Sequence, residues 1–318
     1  SVASGQAIDP LDLDDGLWQL QVSATDFVRN STVAVSGAFE IIHDNLAPRT
    51  TLSLGAPRYG QEPIYVTSNS LVSLDSIDDS VVSADTQGLG VAFQELLIDG
   101  ALKRRFDNAA PQVGQSFVST FMLAGEPDGL HSLGYLAQDT TGNREVVKVT
   151  TVAVDNTAPQ ASVGFNGPRF MDIAGLPDAV GGPSFIASST AVSLSAADPL
   201  VNDVASGLKE IVFGVDGAGL EKYNQPFILA EGRRALAFRS QDNVDNLEAL
   251  KTLQVAVDAT APRTDVSYAG GVLTPGYPSD VLPQDADVLI SGRSAIIMVA
   301  HDPVSSDVAS GVKITSYA

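Results

Sequence analysis

An all-β fold built as tandem sandwich units is what this sequence predicts, and three observations predict it. The first is a long internal repeat. Asp-Asn-Leu-Ala-Pro at Asp44–Pro48 returns as Asp-Asn-Thr-Ala-Pro at Asp155–Pro159 and as Asp-Ala-Thr-Ala-Pro at Asp258–Pro262, so the three aspartates are spaced by 111 and 103 residues. A period of that length means tandem domains, not one large fold and not a short-repeat solenoid. The second is alternation. Leu20 and Val22, Leu133 and Tyr135, and Leu236 and Phe238 occupy matching places two residues apart, the period of a strand with one buried face. The third is composition: 44% hydrophobic and 18% charged residues with 28 glycines and 17 prolines. No window carries a sustained 3.6-residue apolar pattern, so almost no helix is expected.

The elements of the unit follow in order. An acid preceding glycine opens the back half at Asp15, Asp128 and Glu231, and an aspartate follows at Asp26, Asp139 and Asp242. Each of those aspartates has an asparagine four residues on, at Asn30, Asn143 and Asn246. The alternating strand lies between acid and aspartate. A second strand, with Val152 and Val154 in one copy and Leu253, Val255 and Val257 in the next, runs into the Asp-x-x-Ala-Pro motif. Proline ends ladder pairing and biases the preceding residue to extended geometry, so Pro48, Pro159 and Pro262 are expected as short, stiff joints.

The front half recurs as well. Ala197–Gly207 and His301–Gly311 share Asp-Pro and Asp-Val-Ala-Ser-Gly, 104 residues apart, and Val72-Ser73-Leu74 matches Val192-Ser193-Leu194. The loop from Asp78 to Gly90 is longer than that from Asp198 to Gly207, as exposed turns between fixed strands allow. Strands then end in Asp-Gly at Asp99-Gly100 and Asp216-Gly217. The expected boundaries are 1–48 (the back half of a domain), 49–159, 160–262, and 263–318 (the front half of another).

These residues carry a family resemblance. The order Ser206–Gly217, Tyr223 with Pro226-Phe227, Glu231-Gly232, Ser240–Asn246 and Val257–Pro262 resembles bacterial Ig-like repeats, of the kind strung in tandem through large surface and secreted proteins. Gln138–Asn143 is similar to the Asp-x-x-Gly-Asn turn of that family. The resemblance covers essentially the whole chain. It implies immunoglobulin-like sandwiches of about 100 residues in adhesion, stalk or filament roles, and similar repeats also decorate secreted enzymes.

Composition bounds the function. With 38 acids against 18 bases, a net charge of −20, the surface repels phosphate backbones, and nucleic acid is not an expected partner. No run of 18 apolar residues marks a membrane span. Cysteine is absent, which suits an exported bacterial or archaeal protein stabilised by core packing and calcium better than a disulfide-stapled eukaryotic one. His43, His131 and His301 fall at unrelated repeat positions, and no nucleophile–base, zinc-protease or phosphate-loop pattern appears, so no catalytic residue is expected. One tryptophan and 6% aromatics disfavour a stacked sugar-binding face.

The aspartates are the one constellation with chemistry. Asp198 and Asp203 share a loop, as do Asp302 and Asp307, while Asp78, Asp79 and Asp85 crowd the longer version. Calcium takes six to eight hard oxygens, which acidic loops at domain ends supply, and Asp78, Asp198, Asp203, Asp302 and Asp307 are its candidate ligands. The competing reading is an Asx turn, in which the side chain bonds its own backbone; that reading leads for Asp26, Asp139 and Asp242. Asp44, Asp155 and Asp258 fit either a turn cap or a site at the domain boundary. Lys209 and Lys313 share a repeat position that an isopeptide cross-link would need, but exposed lysine is the expectation. The chain is read as non-enzymatic, extracellular or cell-surface structural and adhesive material, assembled with copies of itself head to tail. The alternatives are spacer domains of a large secreted enzyme and the stalk of a receptor-binding adhesin.

Overall fold

The computed structural model describes residues 5, 7–10, 13–78, 88–171, 184–270, 272–273 and 289–317. Asp79, Asp85, Ser1 and Ala318 lie outside the described residues. The chain divides into two compact units, residues 1–157 with 200–206, and residues 158–199 with 207–318. Each is all-β, and no α-helix occurs among the described residues.

The first unit opens with β1 (Gly16–Trp18), β2 (Gln21–Thr25), β3 (Ser31–Val35) and β4 (Phe39–Ile41), which pair as β1–β4 and β2–β3. A complete Ig-like sandwich follows. Its strands are β5 (Arg49–Leu54), β6 (Arg58–Tyr59), β7 (Ile64–Val66), β8 (Leu71–Ile77), β9 (Val91–Ile98), β10 (Ala101–Asp107), β11 (Phe117–Met122), β12 (Gly129–Asp139) and β13 (Lys148–Val154). One sheet runs β11-β8-β5 and the other β10-β9-β12-β13-β7-β6. Every neighbouring pair is antiparallel except β7 and β13, which run parallel through Ile64–Val66 and Val152–Val154. Val72 and Leu74 from the first sheet and Leu96, Leu133 and Val152 from the second meet in one core, none more than 1% exposed.

The second unit repeats this plan with β14 (Gln160–Asn166), β15 (Arg169–Met171), β16 (Ser184–Ala187), β17 (Ala191–Ala197), β18 (Leu208–Val215), β19 (Glu221–Lys222), β20 (Gly232–Asp242) and β21 (Lys251–Asp258). Its large sheet runs β15-β16-β21-β20-β18-β19, again with one parallel pair, β16 with β21. The small sheet is β14–β17 alone, because a single bridge from Val192 to Phe227 stands where β11 adds a strand in the first unit. Phe227 stacks on Phe213 at 4.5 Å and closes that side of the core. The unit ends with β22 (Arg263–Ala269), β23 (Val272–Leu273), β24 (Leu289–Ile290) and β25 (Ala295–His301), paired β22–β25 and β23–β24.

The alternation expected from sequence is what buries these cores. Leu133 and Leu236 are fully buried, Phe238 is 5% exposed, and Tyr135 packs half-buried against its core. The Asp-Gly steps are hairpin turns: Asp99 and Gly100 have φ of 50° and 80°, Asp216 and Gly217 of 55° and 79°. Two successive left-handed residues match the twist of the flanking strands.

A feature not anticipated from sequence ties one sheet to the other. The Glu145 carboxylate accepts hydrogen bonds from the Thr50 N–H at 2.9 Å, the Ala137 N–H at 2.8 Å and the Thr50 hydroxyl, and pairs with Lys148, whose ammonium donates to the Thr50 carbonyl at 2.8 Å. Glu248 repeats the arrangement 103 residues on. It accepts from the Ala161 N–H and from the Ser240 N–H and hydroxyl, and pairs with Lys251 at 2.6 Å, which donates to the Ala161 carbonyl at 2.7 Å. Burial pushes the Glu248 carboxyl up, but the Lys251 ammonium, the Ser240 hydroxyl and the two N–H donors outweigh it and hold the pKa below the ordinary value.

Two outcomes follow for the second unit. Phe238→Ala is expected to cost on the order of 3–5 kcal/mol in chemical denaturation, as core aromatic truncations do. Because the folded-state pKa of Glu248 is depressed, its stabilisation is complete above the unfolded value of about 4.3 and is lost as pH falls through the folded value. Glu248→Gln leaves an amide NH2 facing N–H donors; it should cost on the order of 1–3 kcal/mol at pH 7 and flatten the acid limb of a stability–pH curve. An acid limb unchanged in the variant would remove the buried carboxylate from that role.

Candidate functional site

The recurring aspartates sit where strands end, and most of their oxygens accept backbone N–H groups. Asp26, Asp139 and Asp242 are Asx turns. Asp139 Oδ1 accepts the N–H groups of Thr141, Gly142 and Asn143 at 2.9, 2.7 and 2.8 Å, and its Oδ2 accepts Asn143 Nδ2 at 2.8 Å. Asp242 accepts from Val244 and Asn246 in the same way, and Asp26 from Val28 and Asn30. The Asn30 side chain, more than any other partner, keeps the Asp26 carboxyl below its ordinary pKa.

The joint and loop aspartates form a second recurring set. In the first unit Asp44 Oδ2 accepts the Leu89 N–H at 3.1 Å, and Asp78 Oδ2 accepts the Gly90 N–H at 2.7 Å. Also in that unit, Asp155 Oδ2 accepts the Ser206 N–H at 2.7 Å. In the second unit Asp258 Oδ2 accepts the Ser310 N–H at 2.7 Å, Asp302 Oδ2 the Gly311 N–H at 2.7 Å, and Asp198 Oδ2 the Gly207 N–H at 2.7 Å. Burial raises the Asp258 pKa, but the Ser310 and Thr260 donors and the Asp302 carboxyl beside it bring the net shift downward.

These two sets converge. Asp44, Asp78 and Asp139 each place one carboxylate oxygen so that all three lie within 4.8 Å of one another, and Asp78 and Asp139 are buried. Asn143 Nδ2 donates to the Asp44 carbonyl at 3.0 Å, and the Thr141 hydroxyl donates to Asp44 Oδ2 at 3.3 Å. In the second unit Asp198 and Asp242 approach one another within the same limit. Hard carboxylate oxygens converging in this way are the donor chemistry calcium takes. Asp139, saturated by its own turn, has the least capacity left for a ligand.

The other candidates are placed differently. Asp203 and Asp307 are exposed and lie in two-residue hairpins, Asn202–Asp203 and Ser306–Asp307, with φ of 47°, 63°, 49° and 60°. These turns are closed by bridges from Val201 to Val204 and from Ser305 to Val308. Aspartate tolerates the left-handed region better than most residues, which accounts for both positions without a ligand. Asn202 Nδ2 donates to the Asp128 carbonyl at 2.7 Å within the first unit. Joint, loop and turn aspartates, not two from one loop, are what the fold brings together; the signal was that each recurs at the end of a strand.

His131 is buried, not superficial, between Asp99 Oδ2 at 2.8 Å and the Pro127 carbonyl at 2.9 Å. Burial lowers its pKa, but Asp99 and the Pro127 carbonyl overcome this and raise it. His43 lies 2.5 Å from Asp15, and His301 is exposed. Lys209 is an exposed lysine, ion-paired with Asp245 at 2.6 Å, and Lys313 is exposed too.

No protein-family model matches the chain, and no curated protein does. Among solved structures, the Clostridium thermocellum CbhA fibronectin(III)-like modules are similar over 66% of this chain and 95% of theirs, with 13% identity and a TM-score of 0.31. Extracellular cadherin domains 3–6 of protocadherin gamma B2 are similar over 83% of this chain and 61% of theirs, with 13% identity and a TM-score of 0.23.

The Asp78 loop depends on two glycines. A Cβ on Gly88 would lie 2.8 Å from the Asp78 backbone, and one on Gly90 2.8 Å from the Gln112 nitrogen at a φ of +94°. Gly90→Ala is therefore expected to cost more than about 1 kcal/mol by denaturant titration, whereas Gly37→Ala, with open space around it, should be near neutral. Equal midpoints for the two variants would contradict this packing.

Proposed function

We propose that this chain is a non-enzymatic, extracellular structural or adhesive array, a segment of a stalk or filament extended head to tail. One observation carries the reading: each joint aspartate is bonded into the Ser-Gly-type loop of the repeat that follows it. Asp44 accepts Leu89, Asp155 accepts Ser206 and Asp258 accepts Ser310. A connector held this way three times over differs from a free linker, whose composition would leave it a random coil. The acidic balance of −20 suits a soluble exported surface, and among the described residues no helix is long and apolar enough to cross a membrane.

Calcium is the cation proposed for the convergent aspartates, with Asp44 and Asp78 as its principal carboxylates and Asp198 and Asp302 in the places equivalent to Asp78. An ion bound only to the folded state stabilises it by mass action, about 2.7 kcal/mol at one hundred times its dissociation constant. Melting with calcium and with EDTA should therefore give different midpoints, and Asp78→Asn should shrink the difference. Identical midpoints would return these aspartates to backbone capping alone. Electron microscopy of the native assembly tests the larger reading. Rows of repeats in a surface appendage are expected, and repeats found only as a tether beside a catalytic domain would overturn it in favour of a spacer role.

A further inference from the structure

One edge inside the complete second sandwich lacks the strand that its counterpart in the first sandwich carries. In the first unit β8 lies between β5 and β11, and β11 pairs along it from Phe117 opposite Ser76 to Met122 opposite Leu71. Its counterpart β17 pairs with β14. On the other side, among the described residues, it meets only Phe227, which exchanges backbone hydrogen bonds with Val192 at 2.7 and 3.1 Å. The cause is a shorter connection. Phe106 lies opposite Gln94, and Tyr223 donates its N–H to the carbonyl of Ile211, the residue equivalent to Gln94. Residues 107–120, which include most of β11, separate Phe106 from Phe121, whereas only Asn224-Gln225-Pro226 separates Tyr223 from Phe227. So short a stretch cannot lie along β17, and Pro226 has no N–H to give a ladder.

Burial and chemistry change with it. Val192 turns its N–H and C=O toward this edge, and the alternation of an antiparallel ladder turns those of Leu194 and Ala196 the same way. Leu74, Ser76 and Gln94 are fully buried beside β11, but their counterparts Leu194 and Ile211 are 6% and 7% exposed and Ala196 is half-buried. In the first unit Ser119 on β11 donates to the Gln94 side chain, which donates in turn to Ser76 Oγ at 2.7 Å. In the second, Ile211 and Ala196 leave that place apolar. The strand Ala191–Ala197 carries neither a charge nor a proline, two of the devices that protect an exposed edge from pairing.

We propose that this edge of β17 binds an extended peptide segment of a partner protein, antiparallel and in the register that β11 keeps with β8. Four residues of the segment then fall opposite Ala196, Ser195, Leu194 and Ser193, as Phe117 to Thr120 fall opposite Ser76 to Ser73. The first and third point inward over Ala196, Ile211 and Leu194 and are apolar; main-chain bonds supply affinity and the alternate side chains specificity. Charge selects the occupant. A second copy would bring another −20 to the contact. A lysine or arginine just before the paired stretch instead falls opposite Ala197 and Asp198, at the end of β17, and is drawn in by the field of the whole chain. The occupant is therefore a strand with apolar residues in alternation and a cationic N-terminal flank. This adds a partner to the array, and it holds whether the array is a stalk or a spacer.

The probe is a synthetic peptide, Lys-Lys-Phe-Thr-Val-Thr, titrated into the full chain. It should bind, and less tightly as salt rises. Methylating the backbone nitrogen of its valine, which faces Leu194, should weaken binding on the order of tenfold, because one acceptor is left stranded. Methylating that of the preceding threonine, which faces away, should leave binding unchanged. The chain has no cysteine, so a thiol reads position. A peptide with cysteine in place of that threonine should trap Ser195→Cys as a mixed disulfide. It should not trap Asp75→Cys, the equivalent exposed place on β8, whose edge β11 already holds. Equal losses from the two methylations would overturn the register, and equal trapping of the two variants would overturn the edge as the site. No binding at millimolar peptide would overturn the proposal. A chain that takes no peptide but self-associates on sedimentation would put a second copy on the edge instead.

Discussion

A β-sheet of three to six strands has two faces, and only coverage of the apolar one by a second sheet makes it stable. Most of what this chain does follows from that constraint. Leu133 and Leu236 are buried because Val72, Leu74, Val192 and Leu194 lie opposite them. At Leu20 and Val22, where no second sheet lies opposite among the described residues, the same pattern gives side chains exposed by 37% and 64%. The sequence motif is the same in all three places, so coverage and not local propensity sets burial.

Within each sandwich, carboxylates do the work that disulfides perform in many small exported domains. Asx turns fix the ends of β2, β12 and β20, left-handed Asp-Gly pairs turn the hairpins, and Glu145 and Glu248 cross between sheets. Each carboxylate is surrounded by N–H and O–H donors, so its charge is solvated by the protein in place of water. This explains how a chain with a net charge of −20 keeps buried acids such as Asp139 and Asp242.

Much of the fold was legible because it is written in local periods. The alternation at Leu133 and Tyr135, the Asx pairs such as Asp139 with Asn143, and the Asp-Gly turns each involve residues a few positions apart. What escaped was long-range. Glu145 and Lys148 look like any surface pair three residues apart, and their meaning comes from Thr50, 95 residues away from Glu145. The convergence of the aspartates is long-range in the same way. Asp302 and Asp307 are close in sequence, but Asp307 is carried into a hairpin while Asp302 faces the Ser-Gly loop and Asp258. Asp44 and Asp139, far apart along the chain, converge because their strands end together at Asp78.

The parallel pairs β7–β13 and β16–β21 carry a mechanical consequence. Each joins a strand near the beginning of its sandwich to the last strand, and in a tandem chain tension enters by the first and leaves by the last. Parallel strands drawn toward opposite ends of the domain slide past one another, so their ladder hydrogen bonds are loaded together in shear instead of being unzipped one at a time. In a chain under tension, Val152–Val154 on Ile64–Val66 and Val255–Asp258 on Ser184–Ala187 would therefore be the ladders that carry the shear load.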